Sequence, residues 1–298
     1  MTSSAETRVS IGLPVYNAER YIEETLDSLL KQTYTNFVVY ISDNASTDKT
    51  EEICTKYSQT DPRITYIRNP VNLGAAGNYE RCFRPATTEY FRWQNADDPI
   101  EPTLIEKCID TLDSHPDTVL AFTRANVIDE HGKLLERYTD QMELLEENPS
   151  ERFTHCLESL GLQNHMYGLI RREALAKTAL LGNYVASDIN LIGELSLYGK
   201  FREIPEHLFN RRMHPDCSSW DRKDDERQKD FWDPSKRKLV MQTWRSFYEF
   251  YRAAIRAPIP SDKKIAIGYY LLKRANWKKA RLCGELVDLI KYGILKTS

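Results

Sequence analysis

The sequence of 298 residues has no segment typical of a membrane-spanning or exported protein. None of its apolar runs approaches the roughly 20 residues that an α-helix needs to cross a bilayer. Residues 1–7 contain neither a basic stretch nor an apolar stretch, so we expect no secretory signal. We therefore expect a cytoplasmic protein.

Cysteine is scarce and scattered, with six residues and no two of them in a C-x-x-C pair. This spacing favours free thiols in a reducing compartment over a zinc site or a disulfide framework. Acidic residues outnumber basic ones, 44 to 41, and the net charge is −3. A dedicated nucleic-acid-binding protein is usually basic, so nucleic acid is not an expected partner.

The glycine-rich signatures of two large nucleotide-binding classes are also missing. No G-x-x-x-x-G-K-[ST] segment occurs, and no G-x-G-x-x-G follows the first strand-like segment. P-loop NTPases and dehydrogenases are therefore disfavoured. The serine-centred turn of α/β-hydrolases is absent as well.

The first 125 residues alternate strand-like and helix-like segments with short links. Strand-like segments occupy residues 8–13, 37–42, 64–68, 90–94 and 119–125, and helix-like segments include residues 18–32, 74–83 and 101–114. This alternation predicts an α/β fold with a mostly parallel sheet flanked by helices. Ligands bind beyond the carboxyl ends of such strands, so we expect loops 14–17, 43–46 and 95–98 to lie together at one edge.

The pattern changes after residue 125. Residues 127–134 predict a β-hairpin with a glycine-containing turn, and residues 165–170 predict a strand. Residues 189–197 favour a helix, and from residue 225 onward the chain is helical and basic. We divide the chain into an α/β half (1–125), a second half of the same domain (126–221) and a helical C-terminal extension (222–298).

The Asn95–Asp98 turn is the most informative feature of the sequence. Its two carboxylates, Asp97 and Asp98, repel each other unless a cation or hydrogen-bond donors offset their charge. A hard divalent cation, completed by diphosphate oxygens, is one interpretation. An Asp-rich turn before the next helix is the other. From the residues alone the two carry equal weight.

Four further residues have both a functional and an ordinary interpretation. Asp43 could contact a base or ribose, or hold an Asx turn. Tyr16 could stack on a base or simply lie at the surface. His214 could ligate a metal, although a single histidine is more often structural. Asp188 could act as a general base or cap a helix.

Together these segments resemble the family 2 glycosyltransferases, which have the GT-A fold. The matching stretches are residues 9–19 (VSIGLPVYNAE), 28–34 (SLLKQTY), 41–50 (ISDNASTDKT), 72–74 (NLG) and 94–98 (QNADD). The resemblance is clear over residues 8–135 and weaker through residue 221. It implies that residues 1–125 bind a nucleotide sugar and that residues 126–221 bind the acceptor.

The resemblance implies a donor nucleotide site made of seven residues: Pro14, Tyr16, Glu19, Asp43, Asn72, Asn95 and Asp97. Pro14, Tyr16 and Glu19 would flank the base, and Asp43 would hydrogen-bond it. Asp97 matches the last residue of the family's D-x-D motif, the ligand of Mn²⁺ or Mg²⁺. Asn95 stands where that motif has its first aspartate, which removes one charge.

In the second half, the resemblance makes Asp188 the general base of an inverting transfer. Arg212 to His214, with Ser218 and Ser219, resembles the family's R-x-H…S segment, in which the histidine reaches the metal and diphosphate. Arg211 or Arg212 could add a fixed positive charge beside the diphosphate. UDP is the preferred nucleotide, with dTDP and GDP as open alternatives.

The resemblance leaves two other functions open. A nucleotide-sugar-binding protein without transfer activity is permitted by Asn95. A nucleotidyltransferase is disfavoured, because loop 14–17 lacks the glycines that usually hold a triphosphate. The acceptor would be a saccharide or a lipid-linked molecule.

The last segment, residues 262–298, holds nine Lys/Arg and three Asp/Glu together with several aromatic and aliphatic residues. An ordinary solvated helical face is one interpretation. A peripheral contact with an anionic membrane is the other, and a lipid-linked acceptor would fit it.

Overall fold

The computed structural model describes residues 7–215, 217, 231–232, 234 and 241–296, with side chains described as far as residue 291. The strands are β1 (Val9–Val15), β2 (Phe37–Asp43), β3 (Ile64–Arg68), β4 (Tyr90–Trp93), β5 (Thr118–Ile128), β6 (Leu134–Tyr138), β7 (Leu169–Arg171) and β8 (Lys200–Arg212). The helices are α1 (Ile22–Leu30), α2 (Thr50–Thr60), α3 (Gly74–Phe83), α4 (Leu104–Ser114), α5 (Pro149–Glu158), α6 (Arg172–Ala176), α7 (Ser187–Leu195), α8 (Gln242–Arg256), α9 (Ser261–Trp277) and α10 (Lys279–Lys296). A 3₁₀ turn spans Asn164–Tyr167.

The strands form a single sheet in the order β3-β2-β1-β4-β7-β5-β6, with β8 also paired to β5. The first four strands of this order run parallel. The short β7 is antiparallel to both β4 and β5, and β8 is parallel to β5. The predicted α/β fold with a mostly parallel sheet flanked by helices is confirmed.

The centre of the sheet is buried on both faces. Every residue of β1 is buried, since the strand lies between two neighbours and under helices. On α1, Ile22, Leu26 and Leu29 recur on one face and have no exposed surface. Each such side chain stabilises the fold by about 1.5–3 kcal/mol. At Gly12, an added Cβ would lie 2.8 Å from the Cβ atom of Cys82, so glycine lets α3 approach β1 closely.

The three C-terminal helices pack on the second half of the sheet domain. Phe153 of α5 meets Phe250 of α8 edge to face, with 5.7 Å between ring centroids, and Leu271 of α9 lies in the same cluster. The helices α8, α9 and α10 confirm the predicted helical C-terminal extension within residues 242–296, whereas residues 222–230, 233, 235–240 and 297–298 lie outside the described part. No helix among the described residues is long and apolar enough to cross a membrane.

Some predicted boundaries differ from those of the structure. The predicted strand at 165–170 is wrong for its first part, because the backbone there closes on itself: the N–H of Met166 donates to the carbonyl of Gln163 and that of Gly168 to His165, which forms the 3₁₀ turn before β7. The predicted hairpin is confirmed as β5 and β6, with Gly132 at φ 83° in the turn. β5 crosses the 125/126 division, so one strand joins the two halves.

Candidate functional site

A cavity of about 570 Å³ opens beyond the carboxyl ends of β1 and β4. This volume lies within the usual 300–1,000 Å³ of small-molecule sites. Nine of the residues singled out in the sequence line it: Pro14, Tyr16, Asn72, Asn95, Asp97, Asp98, Arg211, Arg212 and His214. Glu19, Asp43 and Asp188 do not line this cavity.

The loop after β1 is fixed by the loop after β2. The backbone N–H of Asn17 donates to Ser46 Oγ at 2.9 Å, and Thr47 N–H donates to Asn17 Oδ1 at 2.9 Å. Glu19 takes part in the same connection, because its Oε2 accepts the N–H of Lys49 at 2.9 Å. Glu19 therefore ties the two loops together beside the cavity, and its predicted position next to a base stays a prediction.

Asp43 is fully buried and already hydrogen-bonded. Its Oδ2 accepts the hydroxyl of Tyr66 at 2.6 Å, and its Oδ1 accepts the N–H of Ser46 at 2.9 Å. Arg68 Nε lies 3.8 Å away. Burial and then the hydrogen bond to Asp43 raise the pKa of Tyr66, which keeps its hydroxyl a donor. Contact between Asp43 and a nucleotide base stays a prediction.

Asp98 closes the turn after β4 and joins it to the end of β8. Its Oδ2 accepts Asn95 Nδ2 at 2.8 Å, and its Oδ1 accepts the backbone N–H of Arg212 at 2.7 Å. Burial, followed by the neighbouring carboxylate of Asp97, raises the pKa of Asp98. Because both oxygens already have partners in the fold, Asp98 is a structural residue and a poor candidate for a metal ligand.

Asp97 and His214 meet in the cavity wall. Asp97 Oδ2 lies 2.9 Å from His214 Nε2, and the Asp97 side chain is 25% exposed. The tilted ring of Tyr21 packs at 4.8 Å from the histidine ring, by centroids. Within the described part of the chain, no group of three or more His, Cys, Asp or Glu could hold a metal. A cation here would therefore have two protein ligands from the described residues.

The two predicted arginines have different surroundings. Arg212 Nη2 donates to Glu24 Oε2 at 2.6 Å, and its Nε donates to the carbonyl of Asp97 at 3.0 Å. This guanidinium is therefore largely committed to holding the 95–98 turn. Arg211 Nη1 donates to the carbonyl of Leu162 at 2.8 Å and to Asn164 Oδ1 at 2.9 Å. Arg211, unlike Arg212, also lines a second, smaller cavity beside the first.

A second cavity of about 280 Å³ adjoins the first and contains Asp188. Tyr167 and Arg211 line both cavities, so the two are neighbours. Asp188 is the second residue of α7, and Ala186, the residue directly before this helix, has a φ of 64°. The structure therefore places Asp188 beside the larger cavity. The predicted Ser218 and Ser219 lie outside the described residues.

Sequence reasoning missed several residues of the larger cavity. Tyr79 donates from its hydroxyl to Asn95 Oδ1 at 3.0 Å, and Asn78 Nδ2 donates to the carbonyl of Val15 at 3.2 Å. Asn44 Nδ2 donates to Asn72 Oδ1 at 2.7 Å. Asn44 lies within a matching stretch of the sequence, whereas the α3 residues follow the Asn-Leu-Gly motif and could be found only from it.

Comparisons with known proteins give a consistent result. A profile of the family described as "Glycosyl transferase family 2" matches residues 10–178, more than half of the chain. An uncharacterized glycosyltransferase of Methanocaldococcus jannaschii is 33% identical over 132 residues, 44% of this chain and 46% of the relative. Chondroitin synthase of Escherichia coli is 26% identical over 225 residues, 75% of this chain and 31% of the relative. The chain thus matches less than half of the length of either of these curated relatives.

Solved structures share the fold at low sequence identity. TarS of S. aureus in complex with UDP-GlcNAc has a TM-score of 0.67 at 17% identity, covering 90% of this chain and 72% of that chain. The mannosyltransferase PcManGT from Pyrobaculum calidifontis, in complex with GDP-Man and Mn²⁺, has a TM-score of 0.56 at 16% identity. That match covers 99% of this chain and 82% of the other.

Proposed function

Because the chain belongs to glycosyl transferase family 2 and has the GT-A fold, we propose that it transfers a sugar from a nucleoside-diphosphate donor to an acceptor hydroxyl. The observation that carries this proposal is the pair formed by Asp97 and His214, 2.9 Å apart in the larger cavity. The same cavity holds Pro14 and Tyr16 of the first loop. One site thus offers a surface for a base and ligands for a diphosphate-bound cation.

The donor proposed for the larger cavity is a UDP-sugar. The ring of Tyr16 is 51% exposed at the cavity wall and can stack on a planar base. TarS, which shares the fold, binds UDP-GlcNAc, and PcManGT binds GDP-Man. GDP is therefore the first alternative to test. Relatives that include chondroitin and hyaluronan synthases favour a role in polysaccharide synthesis.

The donor set formed by Asp97 and His214 fits a divalent cation. One carboxylate oxygen and one imidazole nitrogen suit Mn²⁺ better than Mg²⁺, which prefers oxygen ligands alone. Bound there, a cation would offset the negative charge of the departing diphosphate. With only two ligands from the described residues, it would need further oxygens from the diphosphate and from water. We therefore expect the cation and the nucleotide to strengthen each other's binding.

Asp188 is the proposed general base of an inverting transfer. It would take the proton of the acceptor hydroxyl in the smaller cavity while that oxygen attacks the anomeric carbon of the sugar in the larger one. Arg211 lines both cavities and can orient the donor between them. Replacing Asp188 by Asn should lower kcat by about 10²–10⁴, the usual effect of losing a general base. Asp110→Asn on the exposed face of α4 is the matched control.

The donor site can be tested by thermal unfolding with UDP, GDP and dTDP, each with and without Mn²⁺. A ligand that binds only the folded chain raises the midpoint. We expect one nucleotide to raise it in a Mn²⁺-dependent way, and Asp97→Ala to abolish that increase. No shift with any nucleotide would contradict the proposed donor site.

Product analysis then separates transfer from the alternatives. Sugar transfer releases a nucleoside diphosphate, whereas nucleotidyl transfer releases pyrophosphate. The second candidate, a binding protein without activity, is favoured by Asn95, whose amide donates to Asp98 where the family motif has a carboxylate. Nucleotide binding without product release under any acceptor condition would favour it.

A further inference from the structure

The C-terminal helices carry most of the exposed large hydrophobic side chains of the described chain. Eleven of these seventeen residues lie between Trp244 and Ile290, on α8, α9 and α10. Single exposed apolar residues are common on folded proteins, whereas a contiguous apolar patch usually marks an interaction surface. The other six are scattered over the sheet domain and its loops.

On α9 the exposed apolar residues form a row. Ile265, Tyr269 and Leu272 are 73%, 61% and 64% exposed, and their spacing places them on one face of the helix. The opposite face carries Ile267 and Leu271, which have no exposed surface and pack in the cluster below. The helix therefore has one face in the protein core and a second apolar face directed outward.

The charge of this end of the molecule is opposite to that of the rest. Residues 262–298 have nine Lys/Arg and three Asp/Glu, a net charge of +6, so residues 1–261 carry −9 of the total of −3. The amino group of Lys273 lies 4.5 Å from the ring centroid of Tyr269, beside the apolar row. Among the described residues, no carboxylate oxygen lies within 4.0 Å of the amino groups of Lys273, Lys278 or Lys279.

We propose that the row on α9, with Lys273 beside it and Lys278 and Lys279 after the end of the helix, docks on the surface of an anionic lipid bilayer. Helices with an apolar face and a basic border bind in the bilayer interface, where the apolar side chains enter and the cations contact lipid phosphates. The negatively charged body of the protein would be repelled by the same surface, which orients the molecule. A second copy would bring the same positive charges together across a two-fold axis, which disfavours self-association. The proposal does not depend on the transfer reaction.

Flotation of the full chain with lipid vesicles tests this proposal. The vesicles contain phosphatidylcholine alone or phosphatidylcholine with phosphatidylglycerol, each at low and high salt. We expect binding to the anionic vesicles at low salt, weakened by high salt. The double variant Tyr269→Ser/Leu272→Ser should lower the partition coefficient for anionic vesicles at least about tenfold, equivalent to about 1.4 kcal/mol.

Leu134→Ser/Leu135→Ser is the matched control, because both leucines are exposed on β6, far along the chain from α9. It should bind as the parent does. Lys273→Glu/Lys279→Glu should lose binding to anionic vesicles while keeping the unfolding midpoint of the parent. The proposal is overturned if the parent does not float with anionic vesicles at low salt, or if the Tyr269/Leu272 variant floats equally well. It is also overturned if light scattering shows a dimer that this variant alone disrupts, since a second copy would then cover the row.

Discussion

Replacing Asn95 by aspartate should destabilise the protein, although it restores the acidic residue of the family motif. In the structure Asn95 Nδ2 donates to Asp98 Oδ2 at 2.8 Å, and Asp98 is 2% exposed. The substitution exchanges this donor for a carboxylate oxygen. With both carboxyls ionised, it therefore removes a hydrogen bond to a charged group, which contributes about 1.5–3 kcal/mol, and adds a like charge.

The size of the effect follows from this geometry. Two unit charges 2.8 Å apart repel by about 6 kcal/mol at an effective dielectric constant of about 20. The pair avoids most of this repulsion by keeping one proton, which at pH 7 costs about 4 kcal/mol for a carboxyl whose ordinary pKa is near 4. Burial already raises the pKa of Asp98, so the parent bears part of that cost. We expect Asn95→Asp to lower the unfolding free energy by about 2–3 kcal/mol, or the midpoint by about 5–10 °C.

The loss of stability in Asn95→Asp should depend on pH in a definite direction. The folded variant retains a proton that its unfolded chain releases, so its pKa is raised on folding and its deficit relative to the parent grows as the pH rises. Thermal unfolding of both proteins, with a chelator present, should show the largest deficit near about pH 8 and a smaller one near about pH 5. Asn183→Asp, at an exposed position, controls for the added charge. Equal stability at the higher pH, or a deficit that grows on acidification, would refute the reasoning.

Three further predictions follow from single contacts. Gly12→Ala should lower the free energy of unfolding, measured by urea titration, by about 1–3 kcal/mol, because its Cβ would lie 2.8 Å from a cysteine on α3; Gly284→Ala, with nothing within 4 Å, should not lower it. Tyr66→Phe should cost about 2 kcal/mol in a urea titration, because it removes the 2.6 Å hydrogen bond to the buried carboxylate of Asp43. Isothermal titration should show Mn²⁺ binding more tightly with the nucleoside diphosphate present, and Asp97→Asn should remove that coupling; equal affinity in both conditions would contradict the two-ligand site.

The fold of the first half could be read from the sequence because its signals are local. Strands such as Phe37–Asp43 are β-rich and mostly buried, and helices such as α1 repeat apolar residues on one face. The sheet order in the second half could not be read in the same way. β7 has three residues, and β8 pairs with β5 across about eighty residues, as in the contact between Arg124 and Glu203. Such pairings depend on distant partners rather than on local pattern.

The site residues likewise fall into those that local motifs could predict and those that depend on distant contacts. Motif positions placed Asp97 and Tyr16 at the correct sheet edge, since both follow strands of a parallel sheet. The sequence could not tell whether a carboxylate at a strand end points into the cavity or into the fold. Asp43 points to Tyr66, and Asp98 reaches the backbone N–H of Arg212, 114 residues later. The same uncertainty hid Tyr79, which enters the cavity from a helix.

The proposed cation ligands, Asp97 and His214, come from the two halves of the chain. Asp97 follows β4, whereas His214 follows β8 and lies beyond residue 178, where the family profile ends. Arg212 fixes their relative position, because its backbone N–H binds the Asp98 carboxylate and its Nε binds the Asp97 carbonyl. Losing Glu24, which pairs with the Arg212 guanidinium at 2.6 Å, should therefore weaken Mn²⁺ binding although Glu24 touches neither ligand. Glu24→Gln keeps a hydrogen-bond acceptor for Arg212, so this variant should retain more Mn²⁺ binding than Glu24→Ala. Equal loss of Mn²⁺ binding in both variants would contradict this, because it would mean that the charge of Glu24 matters and its hydrogen bond to Arg212 does not.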